Sequence, residues 1–195
     1  MMQMTNRSSK LVKLVVLSLL ATVSLILFFI SFPLPMLPPY LKVDFSDIPA
    51  LIAGLIFSPL AGIFVVFMKN VLYFAFSGAT DPIGVIANFI AGTLFIFPVA
   101  YLYHRYKGVK SVISGLVIGT AGMAIIMSVL NYVIILPAYS WLIGMEMNNT
   151  IKWTSVIVGI LPFNILKGII VSMLFIPLFI KLKQWIEQKR VEVVG

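Results

Sequence analysis

Asn164 and Lys167 sit one turn apart inside the last long apolar stretch of the chain, in the run Leu161-Pro-Phe-Asn-Ile-Leu-Lys-Gly168. A carboxamide and an ammonium in hydrocarbon are each costly unless they meet protein, water or a ligand. At i and i+3 they share one helix face, so together they describe a built polar site. Lys69-Asn70, Asn88 and Asn131 stand in other apolar stretches. Asn131 and Asn164 both fall in the outer halves of their stretches, where they can meet in one cavity. For a single Asn the simpler account is an interhelical hydrogen bond worth about 0.6–2 kcal/mol. That account suits Asn70 and Asn88. It suits Lys167 poorly, because an intramembrane lysine marks a pathway or a ligand. Lys69 admits three readings: snorkelling to the cytoplasm, pairing with a carboxylate, or supporting the site from behind.

These groups need a frame, and composition supplies it. The chain has 195 residues, 61% hydrophobic and 10% charged. A soluble core of this size has no use for so much apolar surface, so the chain is expected to be an all-α, polytopic membrane protein. The apolar runs are continuous, unlike the alternating strands of an outer-membrane barrel. The net charge of +8 reads as basic cytoplasmic loops rather than a nucleic-acid surface. Cysteine is absent, which removes disulfides, thiolate metal sites and iron–sulfur clusters. The single His104, beside Arg105 and Lys107, is expected in a loop, and one histidine makes no metal site. The first apolar run is too long for a signal-peptide core and lacks a cleavage site, so it is expected to stay as a helix.

Charge threads the helices. Apolar regions cover about 12–32, 46–77, 83–103, 111–136 and 153–181. Basic clusters mark the N-terminus (Arg7, Lys10, Lys13), the loop near 107 (Arg105, Lys107, Lys110) and the C-terminus (Lys181, Lys183, Lys189, Arg190). If all three are cytoplasmic, an even number of spans separates each pair. The region 46–77 must then cross twice, and Ser58-Pro59 supplies the break. The expected architecture is a single membrane domain, 1–195, with six spans (12–32, 46–57, 60–77, 83–103, 111–136, 153–181) and both termini cytoplasmic. Twelve residues of helix reach only about 18 Å, so the second span is expected to be partial or tilted and sheltered by its neighbours. Asp44, Asp47, Asp81 and Glu146 are all expected to face outside.

The outer segment Phe32-Pro-Leu-Pro-Met-Leu-Pro-Pro-Tyr-Leu-Lys-Val-Asp-Phe-Ser-Asp-Ile-Pro49 is the second informative feature. Its prolines keep it stiff and non-helical. Phe32, Leu34, Met36, Leu37, Tyr40 and Phe45 make it more apolar than a solvated loop, as suits a lid over a flat ligand. The plainer reading is a segment packed on the bundle. Ser46 or Asp47 is expected to cap the next helix, with Pro49 in its first turn. Small residues at Ala87/Ala91, at Gly115/Gly119 and at Ser18, Ala21, Thr22 and Ser24 permit close helix approach, within the bundle or to a partner.

No phosphate-binding Gly-x-x-x-x-Gly-Lys loop, HExxH motif or nucleophile elbow occurs in the sequence. With the acidic residues at loops and ends, a proton relay has no carboxylate to run on. Catalytic residues and metal ligands are therefore expected to be none. A binding protein with an outward polar pocket and an apolar lid remains, alongside a membrane enzyme or scaffold as the weaker alternative.

Several long motifs recur in order: Leu41-Lys-Val-Asp-Phe-Ser-Asp-Ile-Pro-Ala50, Pro59-Leu-Ala-Gly62, Lys69-Asn-Val-Leu72, Ala87-Asn-Phe-Ile-Ala-Gly-Thr-Leu-Phe95, Ser128-Val-Leu-Asn-Tyr-Val133 and Gly159-Ile-Leu-Pro-Phe-Asn-Ile-Leu-Lys-Gly168. In these the chain resembles the substrate-binding S components of bacterial energy-coupling factor transporters, in particular the riboflavin-specific ones. The resemblance implies a six-helix, multi-pass protein of the bacterial cell membrane that binds riboflavin from outside. It implies as partners a transmembrane T protein and two ATP-binding cassette ATPases, with riboflavin as cargo and no cofactor of the chain's own. Flavin mononucleotide or flavin analogues are further ligand candidates, and Lys42 or Lys152 are the outer cations that a phosphate would need.

Asn131, Asn164 and Lys167 match the family's flavin-binding positions. Their amides suit the acceptor and donor groups of a pyrimidine edge, and a lysine can donate to ring N1 or O2. Leu34, Met36, Leu37, Tyr40, Leu41, Asp44, Phe45, Lys69 and Asn88 are the expected lid and secondary contacts. The family's Ala-x-x-x-Ala docking motif is not kept to the letter. The nearest match is Ser18-Leu-Leu-Ala-Thr22, with Ala21 and Ser24 adjoining. An S component for another vitamin, such as thiamine or biotin, is the competing reading.

Overall fold

The computed structural model describes residues 2–78, 80–144 and 146–194, with side chains described from residue 10 to residue 189 within them. The side chains of Arg7 and Arg190, which belong to the expected basic clusters, lie outside that description. The architecture is all-α. Helix α1 (Met2–Phe29) leads into an outer segment that carries a short antiparallel ladder, β1 (Phe32–Pro33) with β2 (Lys42–Val43). The chain reverses between them through Met36, whose φ of 65° is left-handed. Extended structure was expected here, and the pairing of its two ends turns the segment into a hairpin flap.

Helix α2 (Asp47–Ile56) ends at the Ser58-Pro59 break. Ser58 is extended, its hydroxyl accepts from Ala61 N at 3.2 Å, and Pro59 opens α3 (Pro59–Phe76). The first position of a helix tolerates proline because its N–H would be unpaired anyway. Asp81 caps α4 (Pro82–Tyr106), accepting from Gly84 N at 2.8 Å. Lys107 and Gly108, both at positive φ, reverse the chain into α5 (Gly108–Leu130). A π-helical turn, Asn131–Ile135, then joins α5 to α6 (Leu136–Ile143). Asn148 caps α7 (Asn149–Thr154), which passes through a second π-helical segment, Ser155–Ile160, into α8 (Leu161–Val194).

Among the described residues, five helical stretches are long and apolar enough to cross a membrane: Lys10–Phe29, Pro59–Phe76, Pro82–Tyr106, Gly108–Ile143 and Asn149–Lys189. At ten residues α2 is shorter, about 15 Å by helix rise. It is wrapped by its neighbours, with Ala50, Leu51, Ala53 and Leu55 fully buried. Gly54 and Gly62 let α2 and α3 approach, since a Cβ on Gly62 would meet Gly54 Cα at 3.1 Å. Gly119 does the same between α5 and α4, where a Cβ would strike Phe95 O at 2.5 Å.

The densest core lies at one end of the bundle. The second half of α4 buries Phe95, Ile96, Val99 and Tyr103 against Val112 and Leu116 of α5 and Phe175 and Phe179 of α8. Basic residues Arg105, Lys107, Lys110, Lys181 and Lys183 belong to this end. His104 is not in a loop. It lies in the last turn of α4, half-buried, with Nε2 at 2.8 Å from Gly54 O. The Gly54 carbonyl on α2 gives a ring turned into the bundle an acceptor that a loop position would not.

Candidate ligand-binding site

The opposite end of the bundle is hollow. A cavity of about 710 Å³ is walled by the first half of α4 (Gly84, Ala87, Asn88, Ala91), the end of α5 and its π turn (Met127, Asn131, Ile135), and the start of α8 (Phe163, Asn164, Lys167). Tyr40 and Leu41 close it from the flap, and Phe28 and Tyr73 from α1 and α3. This volume lies within the range of about 300–1,000 Å³ typical of small-molecule pockets.

Asn131, Asn164 and Lys167 therefore stand on one wall system, each buried. Each asparagine donates one Nδ2 hydrogen to the carbonyl four residues earlier, Met127 O and Ile160 O, both at 2.8 Å. The other N–H and Oδ1 of each amide are left for the cavity. Both asparagines adjoin a π segment: Asn131 opens the first, and Ile160 closes the second. Such turns are rare and concentrate at functional sites. The Asn164 amide donates to Ile160 O, the last carbonyl of the second π segment. Asn88 also lines the cavity, and its Oδ1 is buried without a hydrogen-bond partner among the described residues. An orphaned acceptor on a cavity wall is an address for a ligand donor.

Lys167 is held from behind. Its Nζ lies 3.1 Å from Asp44 Oδ2 and 3.5 Å from Asp47 Oδ2. Asp47 Oδ1 accepts from Lys69 Nζ at 2.8 Å. Ser46 ties the pairs together: its hydroxyl accepts from Lys69 and donates to Asp44. Its backbone oxygen accepts from Ser24 Oγ at 2.5 Å. Lys69 also stands 5.1 Å above the Phe28 ring. Asp44 and Asp47, expected on the outer side, are turned into the bundle: both are 1% exposed. Two buried ammonium groups need counter-charge, and unpaired burial costs far more than drawing two nearby carboxylates inward. For the same reason neither Ser46 nor Asp47 caps α2 with its side chain, as had been expected. Of the three readings of Lys69, snorkelling is excluded by its full burial, and carboxylate pairing is found.

The other expected positions divide. Tyr40, Leu41 and Asn88 reach the cavity; Leu34, Met36, Leu37, Asp44, Phe45 and Lys69 are not on its wall. Met36 is fully exposed at the flap's tip, and Phe45 packs on Phe32 with ring centroids 6.0 Å apart. Desolvation raises the Tyr40 phenol above its ordinary pKa and keeps it a neutral donor. On α1, Ala21 and Ser24 turn into the bundle, which leaves Ser18 and Thr22 facing outward. Two features at the cavity mouth went unread in the sequence: Tyr139 donates to Asp81 Oδ1 at 2.7 Å, and both residues line the opening. Aspartate before Pro82 was a visible capping signal, but its second partner comes from a helix 58 positions away.

An all-α membrane bundle with a polar-walled cavity at one end defines a membrane-embedded binding protein. The family model described as the ECF transporter substrate-specific component matches residues 12–179. The chain belongs to that family. It is a component of a transporter in the bacterial cell membrane and not an enzyme. It is 51% identical over 184 residues to the riboflavin transporter FmnP of Bacillus subtilis (strain 168), covering 93% of this chain and 97% of that one. It is 42% identical over 177 residues to the riboflavin transporter RibU of Staphylococcus aureus (strain TCH60), covering 90% and 93%. A solved S component of a bacterial ECF transporter superposes with a TM-score of 0.77 at 43% identity, covering 90% of this chain and 98% of that chain.

Proposed function

We propose that the chain captures riboflavin from outside the cell and presents it to a transmembrane T protein and two ATP-binding cassette ATPases. The observation that carries this reading is the convergence of Asn131, Asn164 and Lys167 on one cavity beneath the flap. The two amides offer both donor and acceptor groups to the pyrimidine edge of the flavin, and Lys167 donates to its N1–C2 carbonyl side. Aromatic and aliphatic walls, Phe28, Leu41 and Phe163 among them, suit the remainder of the ring. The names of the relatives support the same ligand.

In this reading the membrane is crossed six times, with α2 as the short crossing and both termini in the cytoplasm. The cluster of Arg105, Lys107, Lys110, Lys181 and Lys183 at the end opposite the cavity supports that orientation. Flavin mononucleotide is a second candidate ligand, since Lys42 on the cavity wall gives a phosphate its counter-charge. Titration of the purified protein with riboflavin, read by quenching of flavin fluorescence, is expected to saturate at one site. Thiamine and biotin are expected not to compete. If riboflavin leaves the melting temperature unmoved while another vitamin raises it, the ligand is that vitamin.

A further inference from the structure

The cavity wall needs one ammonium, that of Lys167, yet three further charges are buried behind it. Lys69, Asp47, Lys167 and Asp44 alternate in sign along a chain of contacts of 2.8, 3.5 and 3.1 Å, and their sum is zero. Asp47 and Lys69 do not line the cavity, and no part of ligand recognition by contact uses them. We propose that they are positioning residues, a balanced counter-pair that governs how strongly the carboxylates draw Lys167 away from the cavity. The proposal rests on the riboflavin reading for its probe.

The reasoning is electrostatic. Lys167 has three N–H groups, and the hydrogen bond to Asp44 uses one. Asp47 spends Oδ1 on Lys69 and stands 3.5 Å from Lys167, too far for a strong second bond. The ammonium therefore keeps donors for the cavity. Removing the charge of Lys69 leaves two carboxylates competing for one ammonium in a low-dielectric interior, and Lys167 is pulled back from the wall. Removing the charge of Asp47 instead leaves the Lys69 ammonium uncompensated behind the wall, and its repulsion displaces Lys167 from the seat that Asp44 gives it. Removing both restores neutrality and leaves the Lys167–Asp44 pair intact. Each single change is thus worse than the double one. A purely structural role also lets the double variant recover stability, because Lys69 and Asp47 are bonded to each other, but it leaves the affinity and the bound-flavin spectrum of the folded single variants unmoved.

The test is a double-mutant cycle on the full chain in detergent, with riboflavin as probe. Fluorescence quenching gives Kd, and the absorption spectrum of the bound flavin reports the hydrogen bond at its pyrimidine edge. K69M is expected to weaken binding by more than about tenfold and to alter that spectrum. K69M/D47N is expected to return within about threefold of the wild-type Kd and to show the wild-type spectrum. If K69M does not accumulate as folded protein, D47N against the double variant carries the same comparison, and the double is expected to bind more tightly. A K69M protein that binds like wild type, or a double variant no better than either single, overturns the proposal. A wild-type protein that ignores riboflavin overturns the functional reading instead.

Discussion

Asn131 and Asn164 each give one amide hydrogen to their own helix, and this fixes the plane in which the rest of the amide meets a ligand. Alanine at either position removes a donor and an acceptor while leaving the ligand's groups dry, a loss of about 1–3 kcal/mol of binding. The ligand-free melting temperature should move much less, since each amide bonds only within its own helix. Lys167→Ala differs: it costs similar affinity but also strands Asp44, and breaking a buried pair costs about 3–5 kcal/mol of stability. Parallel riboflavin titrations and thermal melts on the three variants separate the two patterns. The amides and Lys167 were legible because a polar group in an apolar run has few explanations. Asp44 and Asp47 were not. Beside five prolines they read as loop carboxylates on the outer side, and what holds them inside the bundle is Lys167, more than a hundred residues away, together with Lys69. That pairing is a tertiary fact with no local signal.

At the scale of elements, proline and glycine were the readable marks. Ser58-Pro59 divides α2 from α3 where the charge arithmetic required a break, and Gly119 proves to be a contact within the bundle rather than a docking face. The π segments left no trace in the residues, because a widened turn has no composition of its own. They nonetheless set the site. A π turn equals one inserted residue in a helix, so deleting the lipid-exposed Val133 should restore an α-helical register between α5 and α6 and re-aim the wall that carries Asn131. Expected is a protein with unchanged helical circular dichroism and riboflavin affinity reduced by more than about tenfold, about 1.4 kcal/mol. Retained affinity would mean that the turn merely relieves packing.

For the whole molecule, hydropathy and charge made the class readable from composition, and the proposed orientation rests on where the cations cluster. The absence of cysteine makes orientation directly measurable. In intact cells, a membrane-impermeant maleimide should label Met36→Cys at the exposed tip of the flap. Lys107→Cys, in the exposed turn between α4 and α5, should react only after the membrane is opened. The reverse pattern would invert the proposed topology. The distribution of packing has a further consequence. Phe95, Val99, Tyr103, Phe175 and Phe179 make the basic end a solid plug, while the far halves of the same helices enclose empty space. Cargo thus supplies the missing interior of an unfinished cup, and capture and consolidation of the scaffold become a single event. Filling that cup is therefore expected to stiffen its outer half, a change that a neighbouring protein would meet without ever touching what is inside.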